Sequence, residues 1–278
     1  TIEGGGGAQI SIVTRQGVPT VAYQDNASGA PWIVTASWNG SDWTRSFVRQ
    51  YTHSPITTAV DIVKDSQGLA HVVFTDQNIG SYHAQETAPG TFSIVRPYTG
   101  KGDHTNLSAI AMTPDDVPYM VNYKAWGQGT LSFARGTVGA EIGYTVEAGH
   151  FEALDVAAHP GPYGLAAIAA KQAGGSLVAY RIDLSDTITK EVITSEASAG
   201  DFVTALYDLA GDLHVVYGQD DRVVHGWDDA GTWTFEDLFT APAGTASMRS
   251  VSATFDAAGN LHAIACYNPP LSAETVVW

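Results

Sequence analysis

One phrase recurs along this chain: Asp-x-x-Gly-x-x-His followed by an apolar run, at Asp65 to His71, Asp208 to His214 and Asp256 to His262. Degenerate copies fall in phase at Thr14, Thr113 and His159, so the six marks divide the chain at a period of roughly 48 residues. A period of that size means stacked supersecondary units that bury a core only against their neighbours. Each repeat carries four short β-like runs separated by turn residues, as in Val251 to Phe255, Leu261 to Tyr267, Arg222 to Trp227 and Thr232 to Phe239. Trp38-Asn-Gly-Ser-Asp-Trp43 and Trp227-Asp-Asp-Ala-Gly-Thr-Trp233 place Gly, Asn and Asp between aromatic-rich strands, as outer hairpins require. Helical periodicity is sustained nowhere; Pro160, Gly161, Pro162 and Gly164 interrupt even the Ala-rich stretch from Ala157 to Ala170. The pattern predicts an all-β chain, a six-bladed β-propeller of four-stranded blades forming a single domain over residues 1–278.

The ends of the sequence fit a closed ring. The stretch beyond Asp256 is too short for a full repeat and has room for three strands, ending at Glu274 to Trp278. Thr1-Ile2-Glu3, ahead of the Gly4 to Gly7 run, stands in the phase where Thr145-Val146-Glu147 precedes Ala148-Gly149. The N-terminal strand is therefore expected to complete the last blade and close the ring, leaving no unpaired edge.

Composition narrows the partners. With 29 acidic against 13 basic side chains the formal charge is -16, which repels nucleic acid. No apolar run approaches the roughly 20 residues of a membrane span, so no membrane insertion is expected. The single cysteine, Cys266, has no intramolecular disulfide partner.

Candidate chemistry gathers where the innermost strands begin. Aligned repeats put Gly7, Thr58, Asn106, Glu152, Asp201 and Arg249 at one position, with His104 and His150 just before it in adjacent repeats and His53 nearby. Imidazoles titrate near neutrality and carboxylates orient them, so this set can be an acid/base or metal cluster; it can equally be a ring of histidines bonding loop carbonyls. The loops after the second strands add Tyr123, Lys124, Trp126, Lys171 and several amides, a mixture that suits sugar hydroxyls and stacked sugar faces. Asp61 and Asp155 share one repeat position on innermost strands with Thr204 and Ser252; such a ring could hold Ca2+ in a central channel, or contact ordered water. No other cofactor is expected. His71, His214 and His262 recur with the repeat, which argues for a structural hydrogen bond.

The repeated phrase and its Trp-bearing hairpins resemble the BNR-type, sialidase-like propeller repeats of bacterial carbohydrate-active proteins, over nearly the whole chain. The resemblance implies carbohydrate handling by a secreted or cell-surface protein whose partner is a glycan, as a polysaccharide lyase or glycosidase. The alternative is a non-catalytic scaffold or lectin-like module binding a protein or glycan. The Asp box S-x-D-x-G-x-T-W is absent, and of a sialidase's three convergent arginines only Arg249 has a counterpart. Propeller lyases use a His and a Tyr as base and acid, which the resemblance carries to His104 or His150 with Tyr123 as catalytic residues. His53, Lys124, Trp126, Glu152, Lys171, Asp201 and Arg249 then bind substrate, and Asp61 and Asp155 the metal. Fucose-binding propellers repeat an Arg, Glu and aromatic set in each blade; Arg135, Arg181 and Arg222 recur here without one, so no repeated sugar site is expected.

Overall fold

The computed structural model describes residues 10–26, 31–51, 59–76, 80–97, 105–125, 127, 129–161, 166–183, 185–196, 198–241, 246–268 and 275–277. The chain forms two compact units, Thr1–Gly149 and His150–Trp278. Among the described residues there are strands and turns and no α-helix.

The first unit holds three antiparallel four-stranded sheets, each an up-and-down meander in chain order. They are β1 (Ile10–Arg15), β2 (Val18–Asp25), β3 (Trp32–Trp38) and β4 (Trp43–Gln50); β5 (Val60–Lys64), β6 (Ala70–Asp76), β7 (Gly80–Ala88) and β8 (Thr91–Val95); and β9 (Thr105–Met112), β10 (Pro118–Lys124), β11 (Thr130–Arg135) and β12 (Ile142–Ala148). The second unit repeats the plan with β13 (Phe151–Ala158), β14 (Ala166–Gln172), β15 (Leu177–Ile182) and β16 (Ile188–Thr194), then β17 (Ala199–Tyr207), β18 (Leu213–Gln219), β19 (Arg222–Asp229) and β20 (Thr232–Thr240). Its last sheet has three described strands, β21 (Ala246–Phe255), β22 (Leu261–Asn268) and β23 (Thr275–Val277). The expected partner strand at Thr1 to Glu3 lies outside the described residues.

The recurring Asp and Gly build the turn between the first two strands of a sheet. Asp65 Oδ1 accepts the N–H groups of Gln67 (3.0 Å) and Leu69 (2.8 Å), while Gly68 takes φ 82°, a left-handed conformation that side chains disfavour. Asp208 with Gly211 (φ 94°) and Asp256 with Gly259 (φ 84°) do the same, through bonds to Gly211 and Asp212 and to Ala258 and Asn260.

Within each unit, β1 lies against β5 and β5 against β9, as β13 does against β17 and β17 against β21. The core sits between these sheets: Ile33, Val60, Val72, Phe74 and Ala84 join the first two, and Leu177, Ala179, Val203, Val215 and Tyr217 join the first two of the second unit. The middle strands β2, β6, β10, β15 and β18 are buried almost throughout. They read as near-continuous apolar runs because both their faces are covered.

Candidate functional site

A cleft of about 290 Å³ lies in the second unit, between the end of β16 and strands β18 to β20. Thr194, Glu196, Tyr217, Gln219, Arg222, Val224, Phe235, Glu236 and Asp237 line it. Antiparallel pairing explains the convergence: Arg222 opposes Thr240, Val224 opposes Asp237 and Gly226 opposes Phe235, with a bulge between Val223 and Val224. Arg222 Nη1 donates to both Asp237 carboxylate oxygens at 3.3 Å. Phe235 is 42% exposed and stacks on Trp233 with ring centroids 6.5 Å apart. A Cβ on Gly226 would come within 2.8 Å of the Phe235 ring, so only glycine leaves room for that ring to lie over β19. Burial, with Glu196 adding to it and Arg222 opposing, pushes the Tyr217 hydroxyl up to about 12, so it remains a neutral donor at physiological pH.

Glu236 also ends a row of paired side chains. Its Oε1 lies 2.9 Å from His225 Nδ1, His225 Nε2 lies 2.8 Å from His214 Nδ1, and His214 Nε2 lies 3.7 Å from Asp208 Oδ2. The first unit carries the same row: Glu141 Oε1 to His83 Nδ1 at 3.2 Å, His83 Nε2 to His71 Nδ1 at 3.1 Å, and His71 Nε2 to Asp65 Oδ2 at 3.7 Å. A carboxylate only accepts, so His83 and His225 carry their protons on Nδ1, accept through Nε2, and leave the far Nε2 of His71 and His214 without a hydrogen bond. His83 and His225 were missed at the level of sequence; their signal is a second histidine one hairpin after the repeated one, on the neighbouring strand. His262 instead meets its own turn, with Nε2 3.2 Å from Asp256 Oδ2.

The residues expected to carry chemistry are scattered differently. His53, His104 and Trp126 lie outside the described residues, as do the side chains of Asp201 on β17 and Arg249 on β21. Tyr123 and Lys124 end β10 in the first unit, Tyr123 buried and Lys124 half-buried. In the second unit, His150 and Glu152 are exposed, while Lys171, on β14, is only 1% exposed. The His150 carbonyl accepts the Ala173 N–H at 2.8 Å.

Asp61 and Asp155 tie inner strands together. Asp61 Oδ1 accepts from Ser11 Oγ (2.6 Å) and the Ile62 N–H (2.8 Å), and its Oδ2 accepts from the Ile110 N–H (2.9 Å), so one carboxylate on β5 bonds β1 and β9. Asp155 on β13 accepts the Ala205 N–H of β17 at 2.9 Å. Among the described residues, no three His, Cys, Asp or Glu side chains group as a metal site. Of the recurring arginines, Arg181 pairs with Glu191 and Asp228, and Arg222 lies in the cleft with an aromatic ring and carboxylates beside it.

No family model and no curated protein matches this sequence. Solved structures do. A protein of unknown function from Dyadobacter fermentans is 12% identical, with 96% of this chain and 92% of that one covered and a TM-score of 0.63. The Aleuria aurantia lectin in complex with α-methyl-L-fucoside is 12% identical over 97% of this chain and 94% of its own, with a TM-score of 0.59. The fold is propeller-like. The NanB sialidase from Streptococcus pneumoniae, 9% identical over 93% of this chain and 64% of its own at a TM-score of 0.59, shares the fold at the same level.

Proposed function

We propose that this chain is a secreted or cell-surface, six-bladed β-propeller that binds a neutral glycan, with the Arg222 cleft as its site. One observation carries the reading: the exposed Phe235 ring stands beside Arg222, Gln219, Glu236 and Asp237 in a single recess. Sugar hydroxyls pair with planar polar groups while the CH face of the ring stacks on an aromatic side chain. Three carboxylates against one guanidinium make the cleft acidic, which favours an uncharged saccharide over a uronate. The similar structures include a lectin bound to a fucoside and an arabinofuranosidase bound to an iminosugar inhibitor, which agrees with saccharide recognition on this scaffold. In this reading the residues 1–278 form one ring, and Thr1 to Glu3 completes the three-stranded last sheet.

A glycan array identifies the ligand, and calorimetry on the hit tests the site. Phe235→Ala and Arg222→Gln should each weaken binding about tenfold or more, with the melting temperature within a few degrees of the parent. An array without a hit, or two variants with parental affinity, rejects the proposal. Incubating the hit with the chain and measuring new reducing ends or unsaturated products separates a binding module from an enzyme in which His104 or His150 and Tyr123 act.

A further inference from the structure

We infer that Glu196 sets the specificity of the Arg222 cleft: its carboxylate takes two neighbouring hydroxyls of the ligand, which makes the ligand class a neutral saccharide with a free vicinal diol. The inference rests on the glycan-binding reading of that cleft. Glu196 lies just beyond β16 and lines the recess with Tyr217, Arg222 and Phe235. Its backbone N–H donates to the Thr194 hydroxyl at 3.3 Å, a turn that fixes the chain as it leaves the strand. Shortly after it, Ser198 Oγ donates to Asp220 Oδ2 at 3.0 Å, in the turn that joins β18 to β19. Glu196 is thus held on one side by the end of its own strand and on the other by the next sheet.

The other two carboxylates of the cleft are engaged. Asp237 accepts from Arg222 through both its oxygens, and Glu236 accepts from His225. The Glu196 carboxylate is exposed and has no hydrogen-bond or ion-pair partner among the described residues. A carboxylate only accepts, through two oxygens side by side, and adjacent ring hydroxyls present two donors to such a pair, each bond strengthened by the charge. Glu196 and Arg222 act in opposite senses on the Tyr217 hydroxyl, which burial holds in its neutral form, so the three groups face one space. There Tyr217 donates where Glu196 can only accept, and a sugar hydroxyl uses both kinds of partner. The Arg222 guanidinium in the same space penalises an ammonium group and leaves a pair of neutral hydroxyls unaffected.

The repeat shows that this acid is a departure. Phe74 and Tyr217 occupy the same place after His71 and His214, and they oppose Tyr82 and Val224. Arg49 opposes Ile33 next to a bulge as Thr194 opposes Leu177 next to a bulge, so Tyr51 occupies the place of Glu196. In the first unit that place belongs to the core: Tyr51 is 4% exposed and meets Phe74 edge-on, with ring centroids 6.3 Å apart. In the second unit an acid replaces the packed ring, and it shares an open cleft with Tyr217. Exchanging a packed ring for a carboxylate gives up core contacts and leaves, at the same point, both room and an acceptor for a ligand.

Calorimetric titration of the full chain with methyl α-D-mannopyranoside, methyl β-D-galactopyranoside and methyl β-D-glucopyranoside tests this. At least one should bind, and Glu196→Gln should weaken it about tenfold with the melting temperature unchanged, because the amide keeps the shape and loses the charge and one acceptor. Methylating one hydroxyl of the diol should cost the parent a similar factor and Glu196→Gln much less, since the two changes remove the same bond. Parental affinity in Glu196→Gln overturns the assignment, as does equal loss on methylation in parent and variant. Methyl β-D-glucosaminide binding more tightly than the glucoside also overturns it and makes Glu196 a site for a cation. Binding of none of the three glycosides overturns it as well. The wider glycan reading is decided by the array and by Phe235→Ala, so the two proposals fail separately.

Discussion

Acidification should unlock the buried histidine row of the first unit, and the size of the effect follows from its environment. Burial, together with the neighbouring His83, holds the His71 imidazole down to about 4 from an ordinary value of 6.5, against the opposing pull of Asp65 and Asp116. The other charge facing the row is Glu141, bonded to His83. A folded-state value below the unfolded one means that the unfolded chain binds the proton first. The stability this confers is complete above pH 6.5 and is lost as the pH falls from about 6.5 towards about 4. The difference of roughly two and a half units corresponds to about 3 kcal/mol, a large share of a typical folding free energy. His71→Asn removes the titrating ring while its amide can still reach His83 Nε2. The variant should be about 1–2 kcal/mol less stable near neutrality and should lose most of the slope between pH 6.5 and 4. Urea midpoints measured at half-unit pH steps provide the comparison. Parent and variant curves that stay parallel across that window would refute the reasoning. His214, lowered by burial and by His225, should show the same trend more weakly because it is less enclosed.

Two further outcomes concern the scaffold. Gly68 and Gly211 both have positive φ, but a Cβ on Gly68 meets nothing within 4 Å whereas one on Gly211 would lie 2.5 Å from His159 Nε2. Gly68→Ala should therefore cost about 1 kcal/mol and Gly211→Ala at least twice as much, read as melting temperatures; equal costs would show that only backbone strain matters. Asp61→Ala removes the two hydrogen bonds that join β5 to β1 and β9, with a third to the Ile62 N–H inside β5, and should cost about 2–4 kcal/mol, with faster hydrogen exchange at the Ile110 amide. Unchanged exchange there would exclude its role as a cross-sheet tie.

Much of the architecture was legible because it is periodic. Asp65, Asp208 and Asp256 each solve the same turn with a glycine at the same offset, so one local solution written three times exposes the period and the strand count of each repeat. The histidines behind those turns were legible as structural for the same reason. Their partners were not: His83 and His225 lie across a β-ladder, and one row ends on Glu141 from the next sheet while the other ends on Glu236 from the next strand. A linear pattern carries no signal for an acid that is supplied from a different place in each copy.

Chemistry followed the same division. Aligned repeats drew attention to residues that share a phase, and Asp61 and Asp155 do share one, yet in the fold their oxygens accept hydrogen bonds from neighbouring inner strands. The Arg222 cleft was invisible as a motif, because its members come from β16, β18, β19 and β20. The sequence by itself determined the all-β repeat, its turns and the strands whose two faces are covered, since these depend on residues close together in the chain. Only the tertiary structure decided which side chains from adjacent sheets share a recess and what charge that recess carries, because such neighbours are set by strand register and sheet packing between segments separated by anything from one hairpin to a whole repeat.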